Sequence, residues 1–128
     1  MTKPILEFRL TLPGRILSPN GRAHWTDLHK ARKAQRTEAG YACLAAMRDA
    51  KVTTLAKAEL EYTFTFATQR ERDADNLIAS MKAAQDGFAD AKLVPNDSAF
   101  FIHSPMIVVK KNRHDLAGVV VRVYEVKK

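Results

Sequence analysis

Residues 59–66 alternate between polar and apolar side chains, and this pattern restricts the possible folds more than any other feature of the chain. Because successive side chains of a strand point to opposite faces, the pattern predicts a strand with one buried face. The same alternation over Leu6–Leu12 predicts a second half-buried strand, which ends at Pro13-Gly14. The apolar positions of these two strands are Leu60, Tyr62, Phe64 and Phe66, and Leu6, Phe8, Leu10 and Leu12.

Two helices are predicted between and after these strands. The first begins near Thr26-Asp27, either of which could cap it, and runs to about Arg48, with Gly40 as a candidate for close packing. The second begins around Asp75-Asn76 and spaces its apolar residues three and four positions apart, as on one helix face. These residues are Leu77, Met81, Ala84 and Phe88, and Gly87 among them could shorten the helix.

Two further strands are predicted around residues 100–110 and 116–124. The polar segment 111–115 joins them, so they are predicted to form a hairpin. The order β-α-β-α-β-β predicts an α+β fold with a single mixed β-sheet and two main helices. A length of 128 residues favours one domain over residues 1–128.

The composition indicates where the protein resides. No apolar run approaches the roughly 20 residues that a membrane span needs, and the first residues lack the apolar core of a secretory signal. Cys43 is the only cysteine, in a predicted helical stretch where a thiol is a small buried hydrophobe. A reducing cytoplasm without a membrane partner is therefore expected.

The charge balance indicates an anionic partner. The formal net charge is +7 and the isoelectric point lies near 9.8. Basic residues concentrate before residue 40, where charges within about 8–10 Å of each other act as one patch. Such a patch favours nucleic acid as the partner. Its members are Arg15, Arg22, Lys30, Arg32, Lys33 and Arg36.

A pair of carboxylates lies within this basic chain. Asp73 and Asp75 are one residue apart and follow Arg70 and Arg72. If the segment is extended, both side chains point to the same side and can bind one Mg²⁺, with Asp97 as a third ligand. A metal beside a phosphate is the arrangement of a metal-dependent nuclease. The alternative is structural, because aspartate is also a common helix cap and turn residue.

Lys82 and Trp25 each allow two interpretations. Lys82 lies seven residues after Asp75, close to two helical turns, so it could point back toward the carboxylates and stabilise a transition state. Alternatively, it is a solvated surface lysine. Trp25, beside His24, could stack on a nucleobase or anchor the start of the helix. His24, His29, His103 and His114 have no metal-binding spacing and are interpreted as structural or phosphate-contacting.

Several motifs together resemble the RusA family of Holliday junction resolvases. Leu12-Pro13, Ser18-Pro19-Asn20 and Arg22 are similar to the strand end and loop of the family. The stronger match comprises residues 72–77, then 82–86, then 93–97, in the order found in the family. The resemblance implies a RusA-like fold and a homodimeric, Mg²⁺-dependent endonuclease, with Mn²⁺ as a substitute metal, that nicks two strands of a four-way DNA junction symmetrically.

The resemblance also assigns roles to individual residues. Asp73, Asp75 and Asp97 match the metal-binding aspartates, Lys82 the catalytic lysine, and Arg72 the basic residue before the first aspartate. In the best-known member the lysine follows the second aspartate by four residues, whereas here it follows by seven. The residues predicted to contact branched DNA are Arg15, Asn20, Arg22, Lys30, Lys33, Arg70 and Arg72.

Two other functions remain open at this point. One is a non-catalytic DNA-binding protein of the same fold, which the shifted lysine favours. The other is a metal nuclease that acts on other branched or single-stranded DNA.

Overall fold

The computed structural model describes residues 3–19 and 24–126, with the exception of the Asp97 side chain. These residues form a five-stranded mixed sheet and helices that pack on one of its faces. None of the described helices is long and apolar enough to cross a membrane. The elements are β1 (Leu6–Leu10), α1 (Trp25–Ala50), β2 (Ala58–Phe66), α2 (Ala74–Ala79), α3 (Lys82–Asp90), β3 (Phe100–Ile102), β4 (Met106–Val109) and β5 (Gly118–Glu125).

The predicted alternation is confirmed in both of the first two strands. Leu60, Tyr62 and Phe64 are fully buried, and Leu6 and Leu10 are nearly so. The buried side of β5 adds Val119, Val121 and Val123, and all of these pack against apolar residues of α1 and α3. The predicted α+β class with one mixed sheet is therefore confirmed.

The predicted hairpin between the last two strands is wrong. β2 lies between them: it pairs antiparallel with β5 along one edge and parallel with β3 and β4 along the other. The polar segment after β4 crosses the end of β2, where the Lys110 and Asn112 amides donate to Phe66 and Ala67 at 2.8 and 2.9 Å. The chain then returns along the opposite edge, where β5 also pairs with β1.

The strand predicted over residues 100–110 is divided into β3 and β4. The amide of His103 still donates to the Leu60 carbonyl at 2.9 Å. Ser104 and Pro105 follow outside either strand, and proline has no N–H to donate to β2. Pairing resumes at Met106.

Helix α1 begins one to two residues earlier than predicted and has a different cap. The N-cap is His24, whose Nδ1 accepts a hydrogen bond from the Thr26 amide at 3.3 Å. The predicted caps, Thr26 and Asp27, both lie inside the first turn. The helix ends at Ala50, and its C-cap, Lys51, adopts a left-handed conformation with φ of 57°.

The second predicted helix is two short helices, with a break at Ser80 and Met81. Gln35 of α1 is buried against this break and bonds to both sides of it. Its Nε2 donates to the Ser80 carbonyl at 2.9 Å, and its Oε1 accepts from the Ala84 amide at 3.1 Å. These bonds satisfy backbone groups that a helix end leaves without partners. The predicted apolar stripe is largely confirmed, because Met81, Ala84 and Phe88 are fully buried.

Gly40 and Gly87 allow the backbones of α1 and α3 to approach closely. A Cβ atom on Gly87 would lie 2.3 Å from the Arg36 carbonyl oxygen and 2.9 Å from the Gly40 nitrogen. Gly87 therefore permits close packing and does not shorten α3, which continues to Asp90. The predicted role of Gly40 in close packing is confirmed, since its Cβ would lie 3.3 Å from the Gly87 oxygen.

Cys43 is fully buried between α1 and the sheet, as predicted, and burial raises the pKa of its thiol to about 12. We expect no measurable reaction with a thiol reagent such as DTNB at pH 8 in native protein, because only the accessible thiolate reacts. In denaturant, one thiol per chain should react rapidly. The absorbance of the released thionitrobenzoate measures the reaction in native and in denatured protein. Fast labelling of the native protein would show that the core opens readily around α1.

Candidate nucleic-acid and metal site

Asp73 is the N-cap of α2. Its Oδ1 accepts hydrogen bonds from the Asp75 amide at 2.8 Å and the Asn76 amide at 3.4 Å. The helix was predicted to begin around Asp75-Asn76 with Asp75 as a possible cap; the structure gives this position to Asp73 instead. The Asp73 side chain remains exposed, and its Oδ2 makes no hydrogen bond among the described residues. One carboxylate oxygen is therefore structural and the other faces solvent.

Asp75 lies in the first turn of α2 and is also exposed. The segment is therefore helical, and not extended, at Asp75. The prediction that the two carboxylates point to the same side required an extended segment, so it does not hold in that form. Asp97 begins a 3-10 turn over Asp97–Ala99, and its side chain lies outside the described part of the structure. Among the described side chains, no three His, Cys, Asp or Glu residues lie close enough to hold a metal.

Arg72 is held rigidly at the end of β2. Its guanidinium lies 3.6 Å from the centre of the Phe66 ring, and it donates to the Arg70 carbonyl at 3.0 Å and to Thr68 Oγ1 at 3.2 Å. Burial lowers the pKa of Arg72, and the charge of Arg70 adds to this. Stacking of this kind fixes a planar cation in one orientation. A fixed positive charge is therefore carried by the residue that precedes the exposed Asp73.

Three adjoining clefts share lining residues, and together we call them the basic groove. The first cleft, of 400 Å³, includes Arg15, Arg70, Arg72 and Asp73 in its walls. The second, of 510 Å³, includes Lys33 and Lys82 and shares Ser80 with the first. The third, of 560 Å³, shares Ser18 with the first cleft and Lys82 with the second.

The walls of the basic groove carry an excess of positive charge. Among the residues that the structure describes, seven lysines and arginines line it, against three carboxylates. A concave surface with this imbalance attracts a polyanion more strongly than the same charges spread over a convex surface. The cations are Arg15, Arg32, Lys33, Arg36, Arg70, Arg72 and Lys82, and the acids are Glu71, Asp73 and Asp86.

The groove contains most, but not all, of the predicted site residues. Arg15, Lys33, Arg70, Arg72, Asp73 and Lys82 line it. Lys30 is exposed on α1, and neither Lys30 nor Asp75 is among the described residues that line the groove. The predictions for Asn20 and Arg22 fall outside the described residues.

Arg32 and Arg36 were predicted as members of the basic patch, and His29 as structural or phosphate-contacting, but none of the three was among the predicted DNA contacts. They lie on one face of α1, and their spacing of three to four residues was the available signal. Arg36 is partly committed elsewhere, because it forms a bidentate ion pair with Asp90 at 2.6 and 2.8 Å. This pair lowers the pKa of Asp90, mainly through the hydrogen bond from Arg36.

Lys82 begins α3, on the far side of the helix break from Asp75. The predicted geometry, which placed both residues on one continuous helix, therefore does not apply. The Lys82 Nζ donates to Asp86 Oδ1 at 3.3 Å, and the Lys82 side chain is 59% exposed. Lys82 nevertheless lines the same groove as Asp73, since the first two clefts meet at Ser80.

Comparison with known proteins places the chain in a family. It is 34% identical over 109 residues to an uncharacterized protein of Xylella fastidiosa (strain Temecula1), and the match covers 82% of this chain and 68% of that protein. The chain belongs to the same family as this Xylella protein. No family model matches the chain.

Proposed function

We propose that the protein is a Mg²⁺-dependent endonuclease that resolves four-way DNA junctions by paired nicks, with Mn²⁺ able to replace Mg²⁺. The observation that carries the proposal is the basic groove, in which Asp73 and Lys82 share one concave surface with six further cations. A phosphate drawn into this groove by the arginines would lie near both a carboxylate and a lysine. The resemblance to RusA-type resolvases, set out from the sequence motifs, supports the same activity.

The residues at the groove fit a hard divalent cation. Asp73 keeps one carboxylate oxygen clear of hydrogen bonds from described residues, and Asp75, two residues further along the chain, is exposed beside the groove lining. One or two carboxylates together with substrate phosphates suffice to hold Mg²⁺. When bound, the ion would supply charge neutralisation at the phosphate and a bound water of lowered pKa. In the proposal, Asp97 completes the ligand set.

The cations of the groove have separate tasks in this proposal. Arg72, fixed on the Phe66 ring, would orient the phosphodiester next to Asp73. Lys82 would exchange its exposed pairing with Asp86 for the developing charge on the phosphate, since an exposed ion pair of this kind contributes little stability. Arg15, Arg70 and Lys33 would bind flanking phosphates without reading sequence.

The symmetry of the substrate favours a homodimer. A four-way junction has an approximate two-fold axis, so two equivalent sites on a symmetric dimer could cut opposing strands. For this reason the proposal includes a homodimer that acts on branched DNA. The proposed location is the cytoplasm, as expected from the single cysteine.

A cleavage assay on a synthetic four-way junction tests the proposal. With Mg²⁺ we expect paired symmetric nicks; with EDTA, or with Asp75→Asn protein, we expect binding without cleavage, because the carboxylate charge that holds the ion is removed. Denaturing gels measure cleavage and fluorescence anisotropy measures binding. Continued cleavage by Asp75→Asn protein would contradict the metal assignment, and equal cutting of linear duplex would contradict junction specificity.

A second candidate is a non-catalytic DNA-binding protein. The observation that favours it is the position of Lys82, which is paired with Asp86 on a different helix from Asp75. Junction binding in the same assay, without nicks under any metal, would select this candidate.

A further inference from the structure

Trp25 is the most exposed large apolar side chain near the basic groove. It is the sole tryptophan of the chain, it is the first residue of α1, and it is 71% exposed. A residue that anchors a helix start is buried, so the structure does not support that interpretation of the sequence. His24 lies beside it, with ring centroids 6.1 Å apart and planes inclined by 26°. The two rings form a short, solvent-facing aromatic surface.

This aromatic surface continues the wall of the groove. At 3.6 residues per turn, Trp25 lies within about 40° of His29, Arg32 and Arg36 around the axis of α1. Those three residues line the second cleft of the groove. Trp25 and Arg32 are separated along the axis by about 10 Å, at a rise of 1.5 Å per residue. A strand whose phosphates enter the cleft therefore passes the tryptophan within about three nucleotide rises of 3.4 Å.

The surroundings of Trp25 favour a nucleobase over an apolar protein partner. No other exposed large apolar residue of the described chain lies on this face of α1: Phe101, Met106 and Ile107 belong to β3 and β4, and Tyr41 is about 160° around the helix. Among the described residues, Trp25 therefore has only the His24 ring as an exposed aromatic neighbour on this face of α1. So small a surface offers little area to a protein, whereas one ring stacks fully on one base.

We propose that Trp25, supported by His24, is a stacking site for an unpaired nucleobase of the DNA strand whose phosphates occupy the basic groove. The inference rests on the proposed function for its ligand, branched DNA, and adds the recognition of unpaired bases. Stacking on an aromatic ring tolerates any base, so the site selects DNA structure and not sequence. A base exposed at a branch can occupy it, and a base inside an intact duplex cannot.

The single tryptophan makes the inference directly measurable. Protein in EDTA is titrated with oligo(dT), with blunt duplex of equal length, and with a four-way junction that carries unpaired thymines at its centre. Stacking should quench Trp25 emission when oligo(dT) or the junction with unpaired thymines is added, but not when the blunt duplex is added. Trp25→Ala should weaken anisotropy-measured binding of oligo(dT) and of the junction with unpaired thymines by about tenfold, the order expected for one stacked base. Binding of the duplex should be unchanged.

Two variants serve as matched controls. Trp25→Phe retains an aromatic face and should recover most of the lost affinity. Tyr41→Ala removes a ring of similar exposure, 73%, from the opposite side of α1 and should bind like the unsubstituted protein. Circular dichroism would confirm that each variant folds.

The outcomes separate this inference from the proposed function. Tight binding of all probes with unchanged tryptophan emission, and no effect of Trp25→Ala, would overturn the stacking site while leaving junction cleavage intact. Quenching by oligo(dT) in a protein that never cleaves would support the stacking site and overturn the nuclease. Emission that changes with protein concentration alone, together with a monomeric Trp25→Ala variant, would assign Trp25 to a subunit interface and overturn the inference. Failure to bind any probe would overturn both.

Discussion

Gly87→Ala protein is expected to be less stable than the unsubstituted protein by about 3 kcal/mol, at the severe end of overpacking costs. The added Cβ would lie 2.3 Å from the Arg36 carbonyl and 2.9 Å from the Gly40 nitrogen, and both contacts are to backbone. Because backbone atoms cannot rotate away as a side chain can, the whole of α1 must shift away from α3 to relieve these contacts. The gain in helix propensity, about 1 kcal/mol, offsets only part of this cost. Thermal unfolding followed by circular dichroism should show a decrease in Tm of roughly 10 °C.

The other glycines provide graded controls for this prediction. Gly40→Ala places a Cβ 3.3 Å from the Gly87 oxygen, which is a tight contact. This variant should lose less stability than Gly87→Ala. Gly14→Ala meets only the Ile16 side chain at 3.8 Å, an ordinary contact, and should be close to neutral. Equal stability of the Gly87 and Gly14 variants would contradict the close approach of α1 and α3. Because both helices line the second cleft, the Gly87 variant should also lose affinity for DNA.

The sequence was informative wherever a structural feature depends on local periodicity. The alternation in residues 59–66 placed Leu60, Tyr62 and Phe64 on the buried face correctly. The three- and four-residue spacing of Met81, Ala84 and Phe88 likewise identified a buried helical face. These patterns arise from side-chain directions along a single element, so they can be read without knowledge of the neighbouring elements.

Features that depend on distant partners were not predictable in this way. Strands joined by a short polar turn usually pair with each other, but here β2 occupies the position between β4 and β5. The break between α2 and α3 is stabilised by Gln35, which lies 45 residues before Ser80 in the chain. A glutamine in the middle of a basic helix gives no local sign that it will bond to another helix.

The same limit applies to the candidate site. The pair Asp73 and Asp75 drew attention to Asp73, but this pattern alone could not distinguish a helix cap from a metal ligand. The structure shows that Asp73 caps α2 with one carboxylate oxygen. The groove that joins Asp73 to Lys82 depends on how α1 packs beside the break at Ser80. Lys82 therefore reaches the groove by a route that its spacing from Asp75 did not indicate.

Asp73→Asn protein is expected to lose junction cleavage by at least about 100-fold, since even indirect partners of a metal ligand are worth 10–100-fold in activity. Asparagine is as good an N-cap as aspartate, so α2 should keep its cap and the stability should change by less than about 0.5 kcal/mol. The substitution thus removes the anionic ligand while it retains the structural role. Cleavage rates at saturating Mg²⁺, together with urea unfolding curves, measure the two effects separately.

Asp73→Ala is the matched variant, because it removes both the cap and the charge. It should lose activity to the same extent as Asp73→Asn and, in addition, about 1 kcal/mol of stability. If Asp73 were only a cap, the two variants would differ in activity: Asp73→Asn would cleave at the normal rate and only Asp73→Ala would be impaired. An active, normally stable Asp73→Asn protein would therefore reduce this aspartate to its hydrogen bonds with the Asp75 and Asn76 amides. The proposed ligand set would then lose the only one of its described carboxylates that lines the basic groove with Arg72 and Lys82.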